Sequence, residues 1–258
     1  MNIVLKICGL IILLGQAFVT SGLRAEAPLQ AQTEDFYPLP LDGTITLESS
    51  GGSFHIVGWY EPRVRLVALR NAYTKSRLEQ IRVEKKLGPR SLAVTTIIPP
   101  VSGLFADRSG TVDYTITVPE TAHLKLKLEA GEITLEGLRG GQAEIELING
   151  RVVARNCFAN VRAHSTNGVL EVIYEWWENL PAIFDFDIRH GRIGAWLPFN
   201  ARFQIDAQTA NGRIGNGFRL QPTTHEPSQS LQGRTAPEAP VTMRLRTGAG
   251  NISIDSWR

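Results

Sequence analysis

The stretches LKLEAGEITLEG (126–137), IELINGRVVARN (145–156), VRAHSTNGVLEVIY (161–174), DFDIRHGRIGAW (185–196) and IDAQTANGRIGN (205–216) are copies of one unit. The unit is a strand, a glycine-centred turn and a second strand, repeating at roughly twenty residues as solenoid repeats do. LESSGGSFHIVGW (47–59) and LRTGAGNISIDSW (245–257) keep the same phase. Aligned on Gly52, Gly131, Gly150, Gly168, Gly191, Gly212 and Gly250, every copy has an apolar residue two positions later: Phe54, Ile133, Val152, Leu170, Ile193, Ile214, Ile252. Five positions earlier stand Leu47, Leu126, Ile145, Ala163, Phe186, Ala207 and Leu245. Side chains alternate faces along a strand, so both columns should point into one core.

The residue before the glycine is Asn149, Asn167, Asn211 or His190 in four copies. These types tolerate a left-handed backbone, which a tight turn needs and glycine adopts freely. An Asn-Gly turn also suits a hairpin, so an antiparallel meander or sandwich is the alternative fold. The outward columns separate the two. Successive copies carry Lys127, Glu146, His164, Asp187 and, two residues earlier, Lys125, Glu144, Arg162, Asp185. Parallel stacking in register would set opposite charges side by side, whereas like charges there repel. The expectation is an all-β chain, a single β-solenoid.

Outside the repeats, residues 1–27 read as a secretory signal peptide. Lys6 precedes an apolar run, Ile7 to Val19, too short to span a bilayer, and Ala25-Glu26-Ala27 offers a cleavage site, with cleavage after Ala25 as a variant. A retained membrane anchor is the competing reading. Residues 28–40 read as an extended leader, and 41–258 as the solenoid domain. Within it, strands are expected at 44–57, 63–69, 81–85, 92–98 and 111–118. One short helix falls at 73–80 with Thr74 as N-cap. Residues 221–240, rich in Pro, Ser, Thr and Gln, read as a mobile surface loop.

The full chain has 27 basic and 25 acidic residues. Losing Lys6, Arg24 and Glu26 with the signal peptide leaves 25 and 24, a net charge of +1. Nothing in that balance favours nucleic acid or an anionic membrane as partner. The remaining Cys157 has no disulfide partner and reads as a small buried hydrophobe.

Several pieces in order resemble the bacterial "putative adhesin" domain family, which is related to autotransporter adhesin head domains. They are Ile56-Val57-Gly58-Trp59, the short helix, Val118-Pro119, Leu126 to Leu138, and the turns at Asn149, Asn167 and Asn211. The resemblance covers 41–258. It implies a β-helix-like exported domain and adhesion, and brings no catalytic residues.

Candidate chemistry is sparse. Asp185 and Asp187 share an outward face, as carboxylates of a polysaccharide lyase or hydrolase would, but they also continue the charge ladder. His55, His123, His164, His190 and His225 fit no metal-site spacing, and no cofactor motif is present. Aromatics remain. Alternation through Leu170 and Val172 puts Tyr174 and Trp176 inside and Trp177 outside, where it would stack on a sugar or fill a partner's pocket. Trp59 and Trp257, each seven residues after a turn glycine, read as caps of the end rungs. The expectation is a non-enzymatic, adhesin-like module, periplasmic or at the cell surface, with no membrane span after cleavage. Its partner would be an envelope or surface polysaccharide or protein; the alternative is a carbohydrate-active enzyme.

Overall fold

The computed structural model describes residues 27–257 apart from 101 and 104–106. The expected signal peptide, but for Ala27, lies outside the described residues. The strands are β1 Leu29–Pro38, β2 Thr44–Trp59, β3 Arg63–Ala72, β4 Arg82–Gly88, β5 Ser91–Ile97 and β6 Thr111–Pro119. Then come the long strands β7 His123–Glu136, β8 Arg139–Arg155, β9 Phe158–Ile173 and β10 Ala182–Pro198. The series ends with β11 Phe203–Asn211, β12 Ile214–Asn216, β13 Thr223–His225, β14 Ser228–Arg234, β15 Val241–Ala249 and β16 Ile252–Trp257. The helix α1, Lys75–Gln80, starts where expected. The Thr74 hydroxyl accepts from the Arg77 amide at 3.2 Å, satisfying one free N–H of the first turn.

The chain is nearly all β, one open β-solenoid-like sheet of 16 strands. The expected solenoid, rather than the meander, is what forms. The repeats pair in parallel and in register, Gly52 beside Gly131, Gly131 beside Gly150, Gly150 beside Gly168 and Gly168 beside Gly191. Each long strand is creased at its glycine into an N-terminal and a C-terminal arm. All fourteen residues of the two apolar columns are buried in one core. Alternation does not run through the crease. Leu128 and Ile133 both face inward, five positions apart, so the pattern slips by one where the chain turns its corner.

The crease is a column of glycines, and it excludes side chains for two reasons. Gly131, Gly150, Gly168, Gly191 and Gly250 have φ between 134° and 150°, a region that L side chains rarely enter. A Cβ on Gly131 would also lie 1.8 Å from the Gly52 carbonyl oxygen, and one on Gly168 1.8 Å from that of Gly150. Gly212 has no such φ; stacking alone excludes a side chain there, with the Gly250 oxygen 1.9 Å away. Asn149, Asn167, Asn211 and His190 do not take the left-handed backbone expected of them. Among described non-glycine residues only Asn156 and Arg219 have positive φ. The asparagines serve instead through their amides: the Asn167 side-chain N–H donates to Asn149 Oδ1 at 2.9 Å, rung to rung. Hydroxyls in the corner satisfy crease carbonyls, Ser49 Oγ donating to Gly51 at 2.9 Å and Thr209 Oγ1 to Gly250 at 2.8 Å.

Rung order departs from chain order. The last repeat, β15 and β16, inserts between β10 on one side and β11 with β12 on the other. The outermost rung is therefore 203–216. Trp59 and Trp257 cap no end rung: β2 is flanked by β6 and β7, and β16 by β10 and β12. The ends are closed by other segments. The 28–40 leader is extended as expected, but it is a paired strand, β1 running antiparallel to β3. Residues 221–240 are not a plain loop. β13 and β14 form a hairpin, β14 pairs antiparallel with the free edge of β11, and Leu231 is buried. Covering an open edge in this way blocks further strand addition.

The insertion completes the charge ladder. In chain order Asp185 would neighbour Asp206, two like charges. In space Arg244 stands between them, opposite both in register. The outward column then reads Lys125, Glu144, Arg162, Asp185, Arg244, Asp206, alternating in sign throughout.

Candidate functional site: the aromatic edge

Alternation along the C-terminal arms decides which aromatics reach solvent. In β10, Ala195 and Leu197 are buried and Trp196 between them is 45% exposed. Its neighbours across the sheet are Ile173 of β9 and Asp255 of β16. Backbone bonds lace these strand ends together. The Tyr174 amide donates to the Trp196 carbonyl at 2.9 Å, and the Phe199 amide to the Trp257 carbonyl at 3.0 Å. The Trp257 indole N–H donates to the Tyr174 carbonyl at 3.1 Å. One edge of three adjacent rungs thus presents Trp176, Trp196, Phe199 and Trp257, each about half exposed or more.

The two adjacent tryptophans are the reverse of the expectation. Trp176 is 47% exposed, while Trp177 packs against the core. The strand ends at Ile173 and the chain bends at Glu175 and Trp176, so period-two counting stops being valid. Tyr174 is inside as expected. Its ring meets Trp177 at 5.2 Å, Phe158 at 4.9 Å and Phe184 at 6.2 Å, and its hydroxyl donates to the Cys157 carbonyl. Tyr174 and Trp177 form a core corner and leave the candidate site to Trp176. The Trp176 indole N–H donates to Glu178 at 2.9 Å, and Arg139 holds the same carboxylate through two bonds of 2.7 Å. The Arg139 guanidinium, then the indole N–H, bring the Glu178 carboxyl down to about 2, so it stays ionised and pins the indole.

Beside Trp196 lies a residue that sequence reading missed. Glu171 points outward yet its side chain is only 8% exposed. Arg151 Nε donates to its Oε2 at 2.9 Å, and Arg192 lies 3.9 Å from Oε1. Gly194 opposite it supplies no side chain, and the Trp196 Nε1 is 3.5 Å from where a Cβ would stand. The signal was present in the sequence: a glycine outward of the strand next to a carboxylate, one rung from two arginines. The arrangement offers aromatic faces for stacking beside a carboxylate held between two arginines.

The other candidates are tied up elsewhere. Asp185 faces Arg162 at 3.3 Å and Asp187 faces His164 at 3.8 Å, as rungs of the ladder, and Lys127 meets Glu146 at 3.4 Å. The Cys157 thiol is buried, which pushes it up to about 12 and leaves it unreactive. Among the described residues no three His, Cys, Asp or Glu side chains cluster as metal ligands would, and no helix is long and apolar enough to cross a membrane.

Fold and edge together define a creased, glycine-stacked β-solenoid with exposed aromatic side chains along one edge. The Toastrack DUF4097 family matches residues 40–255, and the chain belongs to it. No curated protein is similar to it. Three solved structures are similar in outline. A putative cell adhesion protein from Clostridium sporogenes is 13% identical with a TM-score of 0.48, over 88% of this chain and 100% of the other. A putative adhesin from Bacteroides fragilis is 13% identical with a TM-score of 0.32, over 87% and 97%. A putative lipid binding protein from Parabacteroides distasonis is 9% identical with a TM-score of 0.27, over 88% and 97%.

Proposed function

We propose that this protein is an exported, non-enzymatic, adhesin-like module that holds a carbohydrate of the cell envelope or cell surface on its aromatic edge. Residues 1–27 are removed on export, and the module acts in the periplasm or at the surface. The observation that carries the reading is the set of Trp176, Trp196 and Trp257, all 40–47% exposed on the edge of three laced rungs. Leaving such surface in water forgoes burial of large apolar area, and aromatic side chains dominate contacts of this kind. Two of the indole N–H groups are bonded within the protein, which fixes ring orientation before any ligand arrives. The ladder partners of Asp185 and Asp187 support binding over hydrolysis.

The test is affinity electrophoresis of the mature protein in gels containing envelope or surface polysaccharides, with Trp196→Ala and Trp176→Ala beside the wild type. Retardation that both variants lose, with unchanged folding, is the expected result. Retardation indifferent to both changes overturns the reading.

A further inference from the structure

The hairpin of β13 and β14 does more than cover an edge. It stands beside the outward face of the N-terminal arms and borders an open groove of about 670 Å³ with them. The floor is set by one column, two residues before the crease glycines. Earlier rungs carry Glu129 and Ile148 there, both exposed. In the groove the column carries Arg189 and then only Gly248 and Ala210, so the floor is bare next to one arginine. The Arg189 carbonyl lies 2.7 Å from where a Gly248 Cβ would stand, which keeps that position free of side chains.

The groove lining holds two arginines, Arg189 and Arg246, against one aspartate, Asp187. Asp187 is turned to His164 at 3.8 Å, and Arg246 is bonded to Asp206. Arg189 has no ion-pair partner among the described residues, and His225 enters from the hairpin without one. The hairpin side adds Ser228, Gln229 and Ser230, facing Gln208 and Thr209, with Ala210 and the largely covered Ile188 as apolar lining between them. A guanidinium without an ion-pair partner in a concave site favours an anion. Gln208, Ser228, Gln229 and Ser230 can bond the hydroxyls of a sugar while Ala210 meets its apolar face, and the volume falls in the usual range for small-ligand sites.

We propose that this groove binds an anionic group carried on a saccharide, with Arg189 as the principal contact and the hairpin as the far wall. The site is separate from the aromatic edge. Two acidic probes distinguish the source of the charge: a galacturonate trisaccharide for carboxylate and a sulfated chondroitin disaccharide for sulfate. A neutral galactose trisaccharide is the control, and isothermal titration of the mature protein is the readout. One acidic probe or both should bind, and the neutral one at least about tenfold more weakly. Arg189→Gln should weaken acidic binding about tenfold or more, since bonds to a charged group are being removed. Ala210→Phe, at an exposed position, should fill the floor and abolish binding while melting like the wild type. All titrations are made on protein that already carries Trp176→Ala and Trp196→Ala, so binding at the aromatic edge does not enter and failure here is distinct from failure there. The proposal is overturned if neither acidic probe binds, if neutral and acidic probes bind alike, or if both groove variants keep wild-type affinity.

Discussion

The indole N–H of Trp257 donates to the backbone carbonyl of Tyr174, 83 residues earlier in the chain. That bond reaches past β10 and ties the inserted repeat to a rung that it does not otherwise pair with. Trp257→Phe keeps the ring and loses the bond. It should lower stability by about 1 kcal/mol, the usual worth of one such bond. Trp176→Phe, whose lost bond goes to a more exposed carboxylate, should cost less. Urea melts of the two variants give the comparison.

The crease glycines should be intolerant of any side chain. Gly168→Ala asks for a Cβ 1.8 Å from a carbonyl oxygen at φ 134° and should cost more than about 2 kcal/mol. Gly103, a loop glycine, is no neutral reference, because its φ is 125°. Gly215 has open space and no positive φ, and Gly215→Ala should stay within about 0.5 kcal/mol. Equal denaturation midpoints for the two variants would remove the argument from stacking.

The ladder makes a prediction about salt. Arg244→Glu places three carboxylates side by side where Arg244 separated Asp185 from Asp206. Exposed pairs are worth about 0–1 kcal/mol each, so the loss should be of the order of 1 kcal/mol at low ionic strength and shrink in 1 M salt. Arg244→Gln should cost less and respond less. Thermal melts across a salt series read both.

Cys157 should ignore thiol reagents while the protein is folded, and react at once in denaturant. Burial keeps it neutral to about pH 12, whereas the unfolded chain ionises it near its ordinary value of 9.0. Between those limits the unfolded state binds fewer protons, so this group's contribution falls as pH rises from about 9 toward 12. Cys157→Ala should flatten stability over that window, as pH-dependent melts would show. A wild-type slope in the variant would mean that other groups set the alkaline limit.

The repeat was legible because the crease glycines and the buried columns are local in sequence: Ile133 or Phe186 can be placed without knowing any partner strand. Parallel stacking was legible for the same reason, from Lys127 to Asp187. The position of β15 was not. The unfavourable succession of Asp185 and Asp206 hints that something separates them, yet nothing local says that Arg244 does. Asn149 and Asn167 were placed correctly and given the wrong role, since a left-handed turn and a stacked amide leave the same residue before the glycine. At the aromatic edge, counting by twos works for Trp196 inside a strand. It fails for Trp176 and Trp177 because the chain bends before them. Glu171 was missed because its burial comes from Arg151 on one neighbouring strand and from the space over Gly194 on another, which it shares with Trp196.

The place of β15 and β16 has a consequence for how the molecule is assembled. Synthesis delivers residues 203–216 ahead of residues 241–257, yet the later segment occupies the slot between the earlier one and β10. If 203–216 docked on β10 as soon as it emerged, Asp206 would meet Asp185 and the slot would be shut. Like charges at that false seam would disfavour it by up to about 1 kcal/mol, the scale of one exposed pair, whereas 241–257 offers matched charges to both sides. The stack therefore cannot close in chain order: its last-made repeat has to enter before 203–216 takes its place at the end.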